Sequence, residues 1–499
     1  MSAASSVFLL GLGFILVLFY GSAPLWHSDL WDHINYGQWI LDTKSVPTTE
    51  PLLDFAQGMP MVNTAWGAQV ALAATNSNPQ LGLPGLQFLN GLLVIIALAA
   101  VGWAIWNQSG SVVFAIIGYV VFLVLNWQQF LVIRPQLIGV TFFSILLAVL
   151  TNNGIRKTAT WVILPLMFAI WANLHGSFAM GLTLLGLFTV GRFLETWVRT
   201  RSLKLALQSR VAWRLVLMIQ LCSAAVLINP YGLAVYGEVL RVGGHPNITS
   251  MYEWDPLTLR MKQGQCAAVV FGLLLIVLRI SPRRLRVDHT LALLATGGLM
   301  LWSARMINWF APVAAFVLAV HGTAAWRMWW RKIRGTQKSK RGGIWTIVNV
   351  GLCWIFFGFT SLGLQTMHGK QPDHRRALSR ATPVTLSKYL ENEASIPKGI
   401  AVAPAEWVGY LKNVCGDRFH PMVNLHVHVI PEEVWAAYLQ IQDGPEHWKS
   451  LMDQYRINYV IAQKPRNSRL IKKITNSDHF VQDYEDAQSV VFRRKELIP

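Results

Sequence analysis

The chain has 499 residues, 53% of them hydrophobic and only 14% charged, with a mean hydropathy of +0.38. A soluble globular chain carries about a quarter charged residues, so this composition excludes an ordinary soluble enzyme and points to a polytopic membrane protein. The formal net charge of +18 would suggest nucleic acid in a soluble protein; in a membrane protein Lys and Arg collect in cytoplasmic loops, and we read no nucleic-acid partner.

Taken in chain order, the first apolar run covers 7–20. No Lys or Arg precedes it, and Pro24 spoils the small-residue site at Gly21-Ser22-Ala23, so it reads as a retained helix rather than a cleaved signal peptide. About sixty residues of mixed polarity follow, in which 33–41 and 66–74 fit amphipathic helices, the first lying on the membrane surface. Further apolar runs cover 86–106, 112–125, 137–150, 161–172, 178–197, 211–228, 266–278, 290–302, 307–326 and 344–364, giving about eleven spans. With the N-terminus in the cytoplasm, four of the five inside connections are basic; they hold Arg156 and Lys157, five cations over 199–214, four over 279–286 and seven over 327–341, among them Lys338 to Arg341. The outside connections hold few cations, mainly Lys44, Arg134, Arg241, Arg260, Lys262 and Arg305. This positive-inside asymmetry places the tail outside.

The expected architecture is therefore a membrane all-α bundle of about eleven transmembrane helices over 1–364, with a large first outer loop at about 21–85, followed by a small extracytoplasmic α/β domain over 365–499. In the tail, 400–403, 418–423, 458–462, 480–484 and 489–494 read as strands, and 406–411, 432–440, 447–455 and 468–476 as helices. Cys222, Cys266, Cys353 and Cys415 form no CxxC pair and no disulfide framework.

Polar residues gather on the expected outer side. His27-Ser28-Asp29-Leu30-Trp31-Asp32-His33 leaves the first run, and acids at that depth are costly unless they face water, a partner or a substrate. Arg134-Pro135-Gln136, Asn173-Leu174-His175-Gly176, Asn229-Pro230-Tyr231-Gly232, Glu253-Trp254-Asp255, Arg305, Asn308 and Asn126 lie on the same side, whereas the inside face reads as solvated cations only. A cavity opening outward would explain the asymmetry. Plainer readings stay open: Asp29 or Asp32 as a helix N-cap, Arg134 snorkelling to lipid phosphate, His175 as a structural turn residue, and Glu253 in an ordinary loop. Asn229-Pro230-Tyr231-Gly232 reads first as a helix stop. His426 and His428, alternating on one strand face, lack a third metal ligand nearby.

A carboxylate at the membrane surface suits a general base on an acceptor hydroxyl or amine. Arginines and a histidine suit a phosphate leaving group, an acid pair can hold a divalent cation, and Trp26, Trp31, Trp66 and Trp254 can stack on sugars or anchor the interface. Together these suggest sugar transfer from a polyprenyl-phosphate carrier on the outer side, though spacing alone does not separate this from transfer of a phosphorylated head group.

These residues resemble the GT-C glycosyltransferase superfamily, and more closely a group of bacterial membrane proteins of this type. The resemblance rests on Ser28 to His33, then Gly37-Gln38-Trp39-Ile40-Leu41, Val46 to Pro51, the outer clusters above, Ala403 to Leu411 and Tyr455 to Val460. It departs at Asp32, where a second aromatic is expected, and at Asn424-Leu425-His426, which lacks an acid-and-arginine pair. The resemblance implies Asp29 as catalytic base; on the residues themselves, Asp32 or Glu253 is expected to assist it or to hold a metal. His33, Arg134, Gln136, Asn173, His175, Trp254 and Arg305 would bind substrate, and Asp29 and Asp32 would hold Mg or Mn if a cation is used. The expected partners are the bilayer, a polyprenyl-phosphate-linked sugar and a glycan, lipid or protein acceptor, in a bacterial inner membrane. The alternatives are a transferase for a phosphoethanolamine-like or aminosugar head group, and a non-catalytic transporter or assembly scaffold.

Overall fold

The computed structural model describes residues 11, 13, 15, 16, 18–26, 29–333, 377–392, 399–464 and 466–495. The expected last span at 344–364, the basic stretch 338–341, Cys353, His27 and Ser28 lie outside the described residues. The chain divides into two compact units. One comprises Met1–Ala23, Pro84–Val239 and Met251–Pro372; the other comprises Pro24–Leu83, Leu240–Ser250 and Asp373–Pro499. The first outer loop, read from the sequence as part of the membrane domain, is in the same compact unit as the tail.

The first unit is helical. Among the described residues, Gly82–Ser109, Val112–Phe130, Phe178–Thr200, Lys262–Ile280 and Ala304–Trp329 are long and apolar enough to cross a membrane, and Pro135–Thr151 and Thr160–Leu174 are shorter apolar helices. The runs read at 211–228 and 290–302 fall on the helices Arg210–Val226 and Val287–Trp302. Apolar side chains face outward as well as inward: Val162, Ile163 and Leu166 are exposed on one side of Thr160–Leu174 while Leu164, Phe168 and Trp171 are buried. That pattern suits a lipid solvent, and the chain is a multi-pass membrane protein.

The Ile307–Ile333 helix runs through the core, with Ala311, Ala314, Ala315 and Ala319 fully buried. Its small residues let the Val112–Phe130 helix come close. A Cβ added at Gly118 would lie 3.6 Å from both the Ala315 carbonyl and the Ala319 methyl, and would run into Ile105. Val112–Phe130 breaks at Asn126, whose φ of −111° and ψ of 15° are not helical. Nearby carbonyls find side-chain partners instead: Gln263 Nε2 donates to Leu125 O at 3.0 Å, and Asn90 Nδ2 to Phe130 O at 2.9 Å.

Among the cations read from the sequence as solvated, Arg286 is instead paired with a buried carboxylate. Asp288 is buried, its Oδ2 lies 3.1 Å from Arg192 Nε, and Arg286 Nε donates to its Oδ1 at 3.0 Å. An isolated carboxylate there would be very costly, and the two guanidinium groups offset that cost.

The second unit is α/β. Strands β1 (Ile400–Val402), β2 (His420–Pro421), β3 (Ile457–Gln463), β4 (Phe480–Glu485) and β5 (Ser489–Arg494) form one sheet in the order β2-β1-β3-β5-β4. β1 is parallel to β2 and β3, while β5 is antiparallel to β3 and β4. The expected strand at 418–423 shrinks to two residues, because Pro421 has no N–H to continue a ladder. The expected helices at 406–411, 432–440, 447–455 and 468–476 appear as Ala405–Cys415, Glu432–Asp443, Trp448–Gln454 and Ser468–Thr475.

Two further expectations for this unit are corrected. The helix read as lying on the membrane surface is Leu30–Thr43, and it buries Leu30, Trp31, Ile34, Tyr36 and Ile40 inside the unit. Asn35 Nδ2 donates to Gly409 O at 2.9 Å, and Trp31 packs edge-on to Tyr410 with centroids 5.1 Å apart. A Cβ at Gly409 would stand 2.7 Å from the Asp32 backbone nitrogen, so only glycine permits this approach. His426 and His428 do not alternate on a strand; Val427–Val429 is a 3-10 turn.

Candidate functional site

In the first unit, a cavity of about 530 Å³ opens where the Val112–Phe130 helix ends and the Pro135–Thr151 and Lys262–Ile280 helices begin. Its charged lining is Arg134, Arg260, Lys262, Arg305 and Glu253, four cations against one anion. Gln129, Gln136, Gln263 and Asn308 add amides, and Trp127, Phe130, Leu137 and Val140 make the wall apolar. A cationic patch on an apolar wall suits an amphiphile with an anionic head.

Local sequence explains how the arginines are held. Pro135 opens its helix at a position where its missing N–H costs nothing, and it pushes the preceding residue out of the helical region. Arg134 is accordingly extended, with φ −146° and ψ 156°, and its Nη1 donates to Glu253 Oε2 at 2.9 Å. Arg305, on the turn Ala304–Met306, donates from Nη1 to Glu253 Oε1 at 2.8 Å and from Nε to Gln136 Oε1 at 2.9 Å. Its guanidinium carbon lies 5.4 Å from the Trp254 ring centroid. Ala304 N donates to Asp255 O at 2.8 Å, which ties the Glu253 turn to Arg305.

Burial alone would raise the Glu253 pKa, yet Arg305 and Arg134 together hold it down at about 2. Glu253 is thus a fixed anion that positions two guanidinium groups, and a carboxylate so acidic makes a weak general base.

Asn173 and His175 do not line this cavity. Asn173 Nδ2 donates to Ala169 O at 2.8 Å and to Ile228 O at 2.7 Å. His175 caps the Thr160–Leu174 helix, and its Nδ1 accepts from Ser177 N at 3.0 Å. Asn229 folds back on its own turn, donating to Val226 O and accepting from Tyr231 N, as the helix-stop reading expects.

The second unit holds the first-loop acids. Asp29 occupies the N-cap position of Leu30–Thr43 but makes no side-chain cap bond, and Asp32 lies inside the first turn. The Asp32 carboxylate accepts from Leu425 N at 3.1 Å, and burial pushes its pKa up to about 8, so it is mostly protonated at neutral pH. The N-cap reading of Asp32 is thereby corrected.

A hydrogen-bond chain fixes His33 beside Asp29. Asn63 Nδ2 donates to Gln69 Oε1 at 2.6 Å, which leaves the Gln69 amide nitrogen to donate to His33 Nδ1 at 3.2 Å. The proton of neutral His33 is then on Nε2, 3.9 Å from Asp29 Oδ2.

Sequence reasoning missed the buried set behind this pair. Tyr36 Oη donates to Glu50 Oε2 at 2.6 Å, and Glu50 Oε1 accepts from the Leu52 and Leu53 backbones. The His426 ring stacks on Tyr36 at 4.5 Å and meets His33 edge-on at 5.0 Å; burial pushes its pKa down to about 3. Among the described residues no three His, Cys, Asp or Glu side chains are grouped to hold a metal. The Leu425 N–H already occupies one Asp32 oxygen, and no group of three ligand side chains includes Asp29 and Asp32 among the described residues.

No family model matches the chain, and no curated protein matches its sequence. Solved structures do match. The apo oligosaccharyltransferase of Archaeoglobus fulgidus aligns with a TM-score of 0.58 at 11% identity, covering 92% of this chain and 69% of that one. ArnT from Cupriavidus metallidurans bound to undecaprenyl phosphate aligns with a TM-score of 0.55 at 11% identity, covering 100% of both chains. Apo ArnT from the same organism aligns with a TM-score of 0.53 at 12% identity, covering 98% of each chain. At such identities the likeness is one of fold, and it agrees with the resemblance carried by the sequence motifs. The chain shares its fold with this oligosaccharyltransferase and with ArnT.

Proposed function

We propose that this chain is a membrane glycosyltransferase that moves a sugar from a polyprenyl-phosphate donor to an extracytoplasmic glycan, lipid or protein acceptor. The observation that carries the reading is the cavity, where four cations and one locked carboxylate stand on an apolar wall at an end of the membrane helices. Support also comes from the fold, shared with an ArnT that binds undecaprenyl phosphate. In this reading there are about eleven spans, the N-terminus is cytoplasmic, and the tail and first loop are extracytoplasmic, in a bacterial inner membrane.

Asp29 is the proposed base. It takes the proton of the acceptor hydroxyl or amine as the acceptor atom bonds to the anomeric carbon. The bond from that carbon to the phosphate oxygen breaks, and polyprenyl phosphate leaves with the electron pair. Arg134 and Arg305 meet the charge of the departing phosphate, with Arg260 and Lys262 adding to the field. Glu253 keeps the two arginines in place, Asn308 and Gln263 complete the polar lining, and His33 orients Asp29. Asp32 acts as a neutral, buried support.

The test is transfer by the purified full chain from a panel of polyprenyl-phosphate sugars, read by mass spectrometry of the products. Asp29→Asn is expected to abolish transfer while leaving expression and thermal midpoint unchanged. Wild-type turnover by Asp29→Asn overturns the assignment. Transfer of a phosphorylated head group, the second reading from sequence, asks for a Ser or Thr nucleophile beside metal ligands, and no such ligand group is present among the described residues.

A further inference from the structure

The His33 ring ends a hydrogen-bond chain whose direction is fixed at the other end by the backbone. In the turn before the Trp66–Ser77 helix, Ala65 N donates to Asn63 Oδ1 at 3.2 Å. A backbone N–H can only donate, so this atom of Asn63 is the oxygen and the other is the NH2. That NH2 donates to Gln69 Oε1 at 2.6 Å, which turns the Gln69 NH2 toward His33 Nδ1 at 3.2 Å. An amide NH2 accepts nothing, so Nδ1 is the bare ring nitrogen and the proton of the neutral ring is on Nε2. Asn63 and Gln69 are both buried, and water does not compete for these bonds.

Packing keeps the chain in reach of the ring. Gly37 lies one turn after His33 on the same face of Leu30–Thr43. A Cβ there would run into the Gln69 carbonyl and stand 2.8 Å from the Ala73 methyl. The glycine lets the two helices touch at that level, which brings Gln69 opposite His33. The His426 ring also meets His33, edge-on at 5.0 Å. Held in this way, His33 Nε2 lies 3.9 Å from Asp29 Oδ2. Were Gln69 an acceptor at this point, the bare nitrogen would be the one beside the carboxylate, and two acceptors would meet. A purely structural use of the amides, closing the turn before the helix, is met by Asn63 alone; it gives no reason for a second buried amide aimed at a ring nitrogen.

We propose that Asn63 and Gln69 are positioning residues for Asp29, acting through His33: they keep the ring in its Nε2–H tautomer, so that it offers a donor to the carboxylate. The consequence for transfer rests on the reading of Asp29 as the base; the tautomer does not.

The test reads the ring first. The full chain is labelled with isotopic histidine and kept in detergent at mildly alkaline pH, and its ring nitrogens are followed by NMR, with His33 assigned by its loss in His33→Gln. Wild type is expected to carry the proton on Nε2. In Gln69→Glu, which keeps the shape, the carboxylate accepts from both Asn63 and the ring, so the proton should move to Nδ1. A proton on Nδ1 in wild type, or an unmoved proton in Gln69→Glu, overturns the chain. Gln69→Leu cuts the chain without adding charge. With the polyprenyl-phosphate sugar that wild type turns over, kcat should fall about tenfold or more in both variants while KM stays within about twofold. Wild-type kcat in both, in a protein that Asp29→Asn inactivates, overturns the positioning role and leaves Asp29 as the base. Wild-type turnover by Asp29→Asn removes the base and the positioning role together, whereas the ring result stands by itself.

Discussion

Arg305→Lys separates charge from geometry at the cavity. The Arg305 guanidinium serves Glu253 at 2.8 Å through Nη1 and Gln136 at 2.9 Å through Nε, and lies over Trp254 at 5.4 Å. A planar fork can do all three and still present Nη2 to a phosphate. A lysine ammonium keeps the charge but reaches one partner at a time. A charge-assisted hydrogen bond is worth about 1.5–3 kcal/mol. The Arg305 side chain is only 19% exposed, so solvent screening is modest and about 2 kcal/mol is a fair figure for the loss. That corresponds to roughly thirtyfold weaker binding of polyprenyl monophosphate. The assay is a titration of the full chain in detergent, with circular dichroism to confirm unchanged helix content. Affinity within a factor of about two of wild type would refute the claim that the guanidinium fork of Arg305 is what holds the phosphate, because a bare point charge would then suffice.

Asp32→Asn addresses the buried acid. Burial raises the folded pKa from 3.8 to about 8, so the stability linked to this group is full below pH 3.8 and is lost as pH rises through 8. His426, pushed down to about 3, gives the opposite slope, but only below pH 6.5. Between pH 6.5 and 8 the wild type should therefore lose stability, by at most about 2 kcal/mol from Asp32, and the asparagine variant should show a flatter thermal-midpoint profile. An unchanged slope would mean that Asp32 is ionised throughout. Gly409→Ala should lower the thermal midpoint. The added Cβ meets the Asp32 backbone at 2.7 Å, and overpacking of that kind costs about 1–3 kcal/mol, more than the better helix propensity of alanine returns. A raised midpoint would show that the two helices can part.

The small domain was largely legible because its strands are short alternating runs bounded by Gly and Pro, and all five appear. The helical bundle was legible from apolar runs, yet several are shorter than a crossing, and five helices meet the full length among the described residues. In the cavity, Arg134, Gln136, Glu253 and Arg305 stood out because charges at a membrane boundary are costly. Their pairing was not legible, since Arg134 and Glu253 are 119 residues apart and Gln136 and Arg305 are 169 apart. His175 and Asn173 stood out for the same reason as the arginines, but the cavity does not use them. The Arg192–Asp288 pair was hidden because its residues lie near stretches of loop cations. No local pattern announces that His426 stacks on Tyr36, a contact across 390 positions made by folding alone.

The most direct test is an experimental structure of the full chain with polyprenyl phosphate added. The phosphate should lie within hydrogen-bond distance of Arg134 or Arg305, with the first isoprene units along Trp127. Lipid phosphate bound elsewhere, with Arg134 and Arg305 still closed on Glu253, would contradict the account.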